Sequence, residues 1–191
     1  MKETKRLKLS EASLKELAKK WVVTEDVTIG YGTTVEYFVV LKHSKIGKDN
    51  KIWNFINIYD SNIGNKNTIS SFVEIGGATI GNNCKIEGHT YIPRGVKIGN
   101  NVFIGPGVRF ANDKFPRATT DGWKWTVGKV NVGDNVAAGI GSIILPNVTI
   151  GDHTFIAAGS LVTSHLPPNS FAMGWPAHVV SFESLKALNV L

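Results

Sequence analysis

The chain has 191 residues, 42% of them apolar, enough for one domain with a sizeable core and small appendages. Its formal charge of +6 favours anionic partners, but the only basic concentration is the opening MKETKRLKLS and no DNA- or RNA-binding motif occurs, so nucleic-acid binding is not expected. A single cysteine excludes an internal disulfide, and the lack of a signal-like opening or a long apolar run makes a cytoplasmic protein without membrane insertion the expectation.

Residues 1–25 read as a helical lead-in. The segment LSEASLKELAKKW spaces Leu14 and Leu17 as a helix does, and Ser13 with Glu16 matches a capping box. From residue 26 a repeat begins. Ile29-Gly30, Ile46-Gly47, Ile63-Gly64, Ile80-Gly81, Ile98-Gly99, Val132-Gly133 and Ile150-Gly151 follow one another at spacings of 17, 17, 17, 18, 34 and 18 residues. Internal periodicity of this kind is the signature of a stacked architecture. Each period divides into steps of about six, with apolar anchors such as Ile46, Ile52 and Ile58. Four places after an anchor the residue is often small or β-branched, as at Thr90, Val96, Val102 and Ser142. Cys84 falls on that phase and therefore reads as buried filler rather than a nucleophile. A six-residue unit with two inward positions is too short for a helix and suits a short strand and a turn. Three units make a triangular coil, and coils stack with parallel strands about 4.8 Å apart. No coil buries its face alone, so the array folds as a solenoid. About seven coils over residues 26–165 predict an all-β prism roughly 30–35 Å long, and the 20 glycines fit its many tight turns.

The repeat also shows what stacks on one edge. The third residue after each second anchor runs Phe38, Phe55, Phe72, His89, Gly107, Gly141, Gly159, with Asn54, Gly139, Ala157 and Ala158 beside them. Phenylalanine in the upper coils implies that the turn itself does not demand glycine. The glycines then read as a groove in which a ligand approaches the backbone, with His89 at its upper end. An extended amide chain suits such a groove. Glu74 and Glu87 lie in the neighbouring coils.

Between Phe110 and Val132 about sixteen extra residues interrupt the pattern, an excursion over 111–130 of the kind that serves function or assembly. Asn112 and Asp113 at its start supply hydrogen-bonding groups, Lys114 and Arg117 supply positive charge, and Trp123 and Trp125 read as stacking or loop-anchoring residues. The tail, 166–191, holds a Pro-Pro turn, the step Gly174-Trp175-Pro176-Ala177 followed by His178, and a short helix candidate, VSFESLKALNVL.

These hexapeptide steps resemble the left-handed parallel β-helix of hexapeptide-repeat acyltransferases, and AAGSLVTSHLPPNSFAMGWPAHVV (157–180) resembles their closing signature. The left hand comes from that resemblance. IWNFINIYDSNIG (52–64) and NVFIGPGVRFANDKFPRA (101–118) are similar to the nucleotide-sugar N-acetyltransferases of bacterial surface-glycan synthesis, a likeness that covers roughly residues 45–180. It implies acetyl-CoA as co-substrate, no metal, and a dTDP- or UDP-linked 3-amino-deoxysugar as acceptor. It further implies direct transfer and a homotrimer with active sites between subunits. The residues it implies as catalytic are His89, as base or orienting group, with Asn112 and Glu74. For the cofactor it implies Gly107, Gly139, Gly141, Ala157, Ala158, Gly159, Trp175, Pro176 and His178, with the N–H of Gly141 or of another residue on the bare corner as an oxyanion donor. For the substrate it implies Asn54, Asp113, Lys114 and Arg117. Two alternatives stay open: O-acetylation of serine or a sugar hydroxyl, and a non-catalytic β-helix binding module. A γ-type carbonic anhydrase has the same fold, but histidines at 43, 89, 153, 165 and 178 supply no His-x4-His pair.

Overall fold

A computed structural model describes residues 10–118 and 126–181. The helix candidate at the C-terminus, beyond residue 181, and Trp123 and Trp125 lie outside the described residues.

Strands of two or three residues wrap into a three-faced left-handed prism. The first face stacks eight parallel strands from Val23–Glu25 down to Leu161–Val162. The second stacks seven, from Thr28–Ile29 to Val148–Ile150. The third stacks eight parallel strands from Thr34–Val35 to Phe171–Met173, and His178–Val180 closes it by pairing antiparallel. The stack thus has about eight turns where the repeat predicts about seven. The additional upper rung, Val23–Glu25, pairs in parallel with Val40–Lys42 but carries no Ile-Gly step. At the lower end the stack continues past residue 165, through a bridge from Ile150 to Leu166 and then through Phe171–Met173.

The anchors explain the core. In register, Ile63, Ile80, Ile98, Val132 and Ile150 lie one beneath another. The column Ile58, Ile75, Ile92, Phe110 and Ile144 is almost wholly buried. Identical positions meet at the coil spacing, so each apolar side chain covers the one below it. Cys84 is buried, and its thiol lies 3.2 Å from the Gly99 carbonyl oxygen.

The upper end is covered by the α-helix Glu11–Lys19, with Leu17 packed against the core. Ser10 caps this helix, accepting from the Ser13 N–H at 3.1 Å, so the capping role falls three residues before the expected Ser13. Glu16 pairs instead with Lys19 at 2.7 Å. No helix among the described residues is long and apolar enough to cross a membrane.

Candidate active site

His89 stands on the edge where the third face turns into the first, between Lys85–Ile86 and Tyr91–Ile92. Every coil turns this corner through a left-handed residue: φ is +59° at Phe38, +57° at Phe55, +64° at Phe72 and +59° at His89, then +66°, +69° and +68° at Gly107, Gly141 and Gly159. This corrects the sequence expectation. The turn does ask for a conformation that favours glycine, and the three phenylalanines adopt it against the steric preference of a bulky side chain.

Those phenylalanines are held by one another. Trp21, Phe38, Phe55, Phe72 and His89 form a column of stacked rings, with centroids 6.5, 5.1, 5.1 and 4.9 Å apart. Phe72 covers one face of the imidazole. The other face looks down the edge to Gly107, where an added Cβ meets nothing within 4 Å, and the same holds at Gly141 and Gly159. Three coils at about 4.8 Å leave an open run of roughly 14 Å. Trp175 stands at its foot, its indole N–H donating to the Gly159 carbonyl. It sits in the turn between Phe171–Met173 and His178–Val180, and the Trp175–Pro176 peptide is cis. Pro176 and His178 are exposed beside it.

The hydrogen bonds of this edge divide its backbone groups. The Gly141 N–H, one of the bare-corner groups expected to serve as oxyanion donor, donates to the Pro106 carbonyl at 2.9 Å, which leaves that role to another N–H of the corner. The N–H groups of Gly107 and Gly159 go likewise to the coil above, at 2.9 and 2.8 Å. Gly139 and Ala157 donate to the coil below, at 2.8 and 2.9 Å, and a Cβ on Gly139 falls 2.5 Å from the Ala158 nitrogen. That glycine permits close stacking of coils rather than ligand approach. The middle residue of the turn is different. Among the described residues the N–H groups of Gly88, Ile140 and Ala158 have no protein acceptor. Sequence reasoning named Ala158 but missed Gly88 and Ile140. A signal for them existed: the two residues flanking the middle one commit their N–H groups to adjacent coils by the repeat itself. In an upper coil the equivalent Tyr37 N–H is taken up by the Asn54 side chain at 3.1 Å, which gives Asn54 a structural partner.

Three of the five histidines are engaged elsewhere. His43 lies 3.7 Å from Glu25 and 3.9 Å from Asp26, His153 lies 3.5 Å from the Asn135 amide, and the His165 Nδ1 accepts from the Thr149 N–H at 2.9 Å. His89 is exposed, and among the described residues neither ring nitrogen has a hydrogen-bond partner. Glu87 is tied down by Lys85 at 2.8 Å and Ser70 at 3.0 Å, and the lysine contact holds its carboxyl below the usual range. Glu74 projects from the first face one coil above His89, where it accepts from the Tyr59 hydroxyl at 3.1 Å. Burial, then this carboxylate, pushes the Tyr59 phenol above its ordinary value.

The excursion leaves the prism on another edge, between the first face (Arg109–Phe110) and the second (Val130–Val132). Asn112 closes its base: its carbonyl accepts from the Gly128 N–H at 2.8 Å and its side-chain amide donates to the Arg94 carbonyl at 3.1 Å. Asp113 accepts from the Phe115 N–H at 2.8 Å, and the Lys114 ammonium lies 5.6 Å from the Phe115 ring centroid. Arg117 is exposed on the same loop. Within one chain, then, the structure brings His89, the bare glycines and Trp175 to one edge and places Asn112, Asp113, Lys114 and Arg117 on a different one. Among the described residues no three His, Cys, Asp or Glu side chains form a metal-ligating group.

Residues 77–112 and 129–164 match the bacterial transferase hexapeptide family model (six repeats). A protein of Schizosaccharomyces pombe named as an acetyltransferase is 42% identical over 85 residues, 43% of this chain and 41% of its own length. The galactoside O-acetyltransferase of Escherichia coli is 39% identical over 88 residues, 44% of this chain and 43% of its own. The chain therefore spans less than half the length of the curated relatives it matches. Among solved structures, the UDP-N-acetylglucosamine acyltransferase of Francisella novicida superposes with a TM-score of 0.72 at 22% identity, over 88% of this chain and 65% of that one, a likeness of fold.

Proposed function

We propose that this chain, which carries the repeats of the hexapeptide transferase family, transfers an acetyl group from acetyl-CoA to the amine of a dTDP- or UDP-linked amino-deoxysugar. One observation carries the reading: His89, with both ring nitrogens free, is the last ring of a stacked column and faces directly into an open backbone edge. The edge of Gly107, Gly141 and Gly159 takes the extended arm of coenzyme A, with the Ile140 and Ala158 N–H groups as donors to its amides and Trp175 closing the lower end. The thioester supplies the activated acetyl group. His89 takes a proton from the acceptor nitrogen as that nitrogen bonds the acyl carbon, the C–S bond breaks, and the same imidazole returns the proton to the departing sulfur. The second proton of an initially charged amine leaves to water, so thiol, amide and one proton are the products. The Gly88 N–H, next to His89, is the donor for the developing oxyanion.

Asn112, Asp113, Lys114 and Arg117 sit on the wrong edge to meet His89 in one chain, so their part in binding the sugar or its phosphates requires a homotrimer in which one chain's loop reaches the next chain's edge. A second reading, O-acetylation of a sugar hydroxyl, is favoured by the likeness to galactoside O-acetyltransferases.

Mass spectrometry of products from acetyl-CoA and a panel of acceptors tests both readings: dTDP- and UDP-linked 3- and 4-amino sugars, galactosides and serine. One acetyl mass gained on a nucleotide amino sugar supports the first reading, and acetylation of hydroxyl acceptors alone replaces it with the second. His89→Ala is expected to lower kcat by about 10²–10⁴, and a loss under about tenfold sinks the base assignment.

A further inference from the structure

Down the lower half of the third face the outward positions stack in register as Lys85, Phe103, Ala137, Phe155 and Phe171. Alanine alone in this run has no γ atom. Phe155 and Phe171, one coil apart, stack with their centroids 4.9 Å apart. Phe103 and Phe155 are two coils apart, about 9.6 Å, with only the Ala137 methyl between them. The gap is therefore one ring thick. A ring placed in it lies about 4.8 Å from each neighbour, close to the 5.1 Å that Phe38, Phe55 and Phe72 keep along the adjoining edge. We propose that the gap receives the Phe115 ring of a second copy of this chain. The inference deepens the loop-to-edge arrangement proposed above by naming the contact that makes it, and it does not depend on which acceptor is acetylated.

Both halves of the contact are open. Phe103 and Phe155 are 37% and 45% exposed, and Phe115, on the excursion, is 65% exposed. The Lys85 ammonium approaches the Phe103 ring from the coil above, at 5.9 Å, which leaves the lower side of that ring to the gap. Asp113 accepts from the Phe115 N–H at 2.8 Å, and the Lys114 ammonium lies 5.6 Å from the Phe115 centroid. The turn is thus tied down while the ring it presents stands in water, so little freedom is left to lose on docking. Height agrees. Phe115 lines one cavity of about 240 Å³ with Pro146 and Asn147, and these belong to the coil that holds Ala137. Copies set around a rotation axis parallel to their prisms face one another coil for coil, so ring and gap come level. Direction agrees as well. The excursion leaves the edge between the first and second faces, and the third face lies opposite that edge, so the two halves sit on opposite sides of one chain. A contact between two different surfaces of identical chains is head-to-tail, the kind that closes a ring when the rotation allows. The contact also bears on the site. Strand Ala137–Ala138 runs directly into Gly139 and Gly141, so a seated Phe115 brings Asp113 and Lys114 of its own copy beside the bare edge below His89.

Sedimentation equilibrium of the full chain and three variants tests the contact. The wild type is expected to be a closed oligomer at micromolar concentration. Phe115→Ala removes the ring. Ala137→Phe fills the gap from within and extends an aromatic ladder of the kind the fold already carries at Phe38, Phe55 and Phe72. Each change is expected to weaken association by about thirtyfold to a thousandfold, the scale of an aromatic anchor at the centre of an interface. Both together are expected to weaken it no further than either alone, because each removes the same contact. Circular dichroism scores folding, and Phe115→Ala, on an exposed loop, decides the matter by itself if the Ala137→Phe chain does not fold. A monomeric wild type overturns the inference, and so does unchanged association in either folded variant. Losses that add in the double variant assign the two residues to separate contacts and overturn it too. Acetyl transfer and the KM for acetyl-CoA are scored on the same samples. Unchanged association with a raised KM in Ala137→Phe gives the gap to the coenzyme and overturns the inference. Weakened, non-additive association with transfer intact supports the contact and overturns the shared active site, whereas loss of both supports the two together.

Discussion

At the recurrent corner one glycine serves conformation and its neighbour serves space. Gly107 has φ +66° and open surroundings, whereas Gly139 has a neighbouring backbone where its Cβ belongs. Gly107→Phe therefore repeats what Phe38, Phe55 and Phe72 already do: it places a ring at the same φ, stacked beneath His89. This variant is expected to fold, at a cost of about 1 kcal/mol for the left-handed backbone offset by about as much from stacking. It fills the bare edge, so the KM for acetyl-CoA is expected to rise at least about tenfold, and an unchanged KM sinks the groove. Gly139→Ala, much the smaller change, is expected to destabilise by about 3 kcal/mol, because the coil beneath must shift. Urea titration of the two variants separates the roles. Cys84 makes the complementary case. Burial raises its thiol above the ordinary range, so the thiolate is scarce even in mild alkali. A disulfide reagent at pH 8 is expected to leave it unmodified in the native protein and to react promptly in denaturant. The repeat places Cys84 in the core correctly because its phase is visible in the sequence. The same phase does not disclose the corner φ, since the aromatic column conceals the preference for glycine that the bare coils display.

The elements are too short to be stable by themselves, and side-chain ladders on another edge lock each coil to the next. On the edge between the second and third faces the outer ladder runs through Asn65, Asn82, Asn100, Asp134 and Asp152, each accepting from the backbone N–H of the preceding coil at 2.6–2.9 Å. A second, buried ladder runs beside it. The Asn67 Oδ1 accepts from the Cys84 N–H at 2.7 Å and its Nδ2 donates to the Gly81 carbonyl at 3.0 Å. Asn67→Ala leaves both groups without partners inside the prism and is expected to cost about 2–3 kcal/mol. Asn65→Ala exposes its partner to water and is expected to cost under about 1 kcal/mol. Equal shifts of the urea midpoint would refute the distinction. Repeating anchors make the strands legible in sequence, but the ends follow other rules. The rung Val23–Glu25 lacks the repeat's signature, and the helix is capped by Ser10 because the chain enters it three residues earlier than the Ser13–Glu16 pattern implies.

At the scale of the whole molecule, a solenoid converts sequence offset into position along an axis. That is why the column from Phe38 to Gly159 is legible in the order of the residues alone. Position around the axis is legible too, since each edge has its own phase. What a repeat cannot encode is where an interruption points. The excursion begins at Ala111, on the edge between the first and second faces, and its candidate ligands therefore lie apart from His89. The strands on either side of it do not depend on it: Arg109–Phe110 pairs with Ile143–Ile144, and Val130–Val132 with Val96–Ile98 and Val148–Ile150. The Asn112 carbonyl and the Gly128 N–H already meet at its base at 2.8 Å. Residues 113–127 are thus replaceable by a two-residue turn. The shortened chain is expected to keep its circular dichroism and to melt within about 5 °C of the wild type, because nearest-neighbour coil interfaces hold a solenoid together. If the loop serves the edge of an adjoining chain that carries His89, the same deletion is expected to lower acetyl transfer by more than about 10² while coenzyme A affinity, proposed to depend on Gly107, Gly141, Gly159 and Trp175 on the other edge, stays as it was. Mixing the shortened chain with an excess of His89→Ala chains then discriminates further. Each variant lacks what the other supplies, so activity returns where mixed oligomers form and the loop acts across the interface. It stays absent where the loop acts only within its own chain.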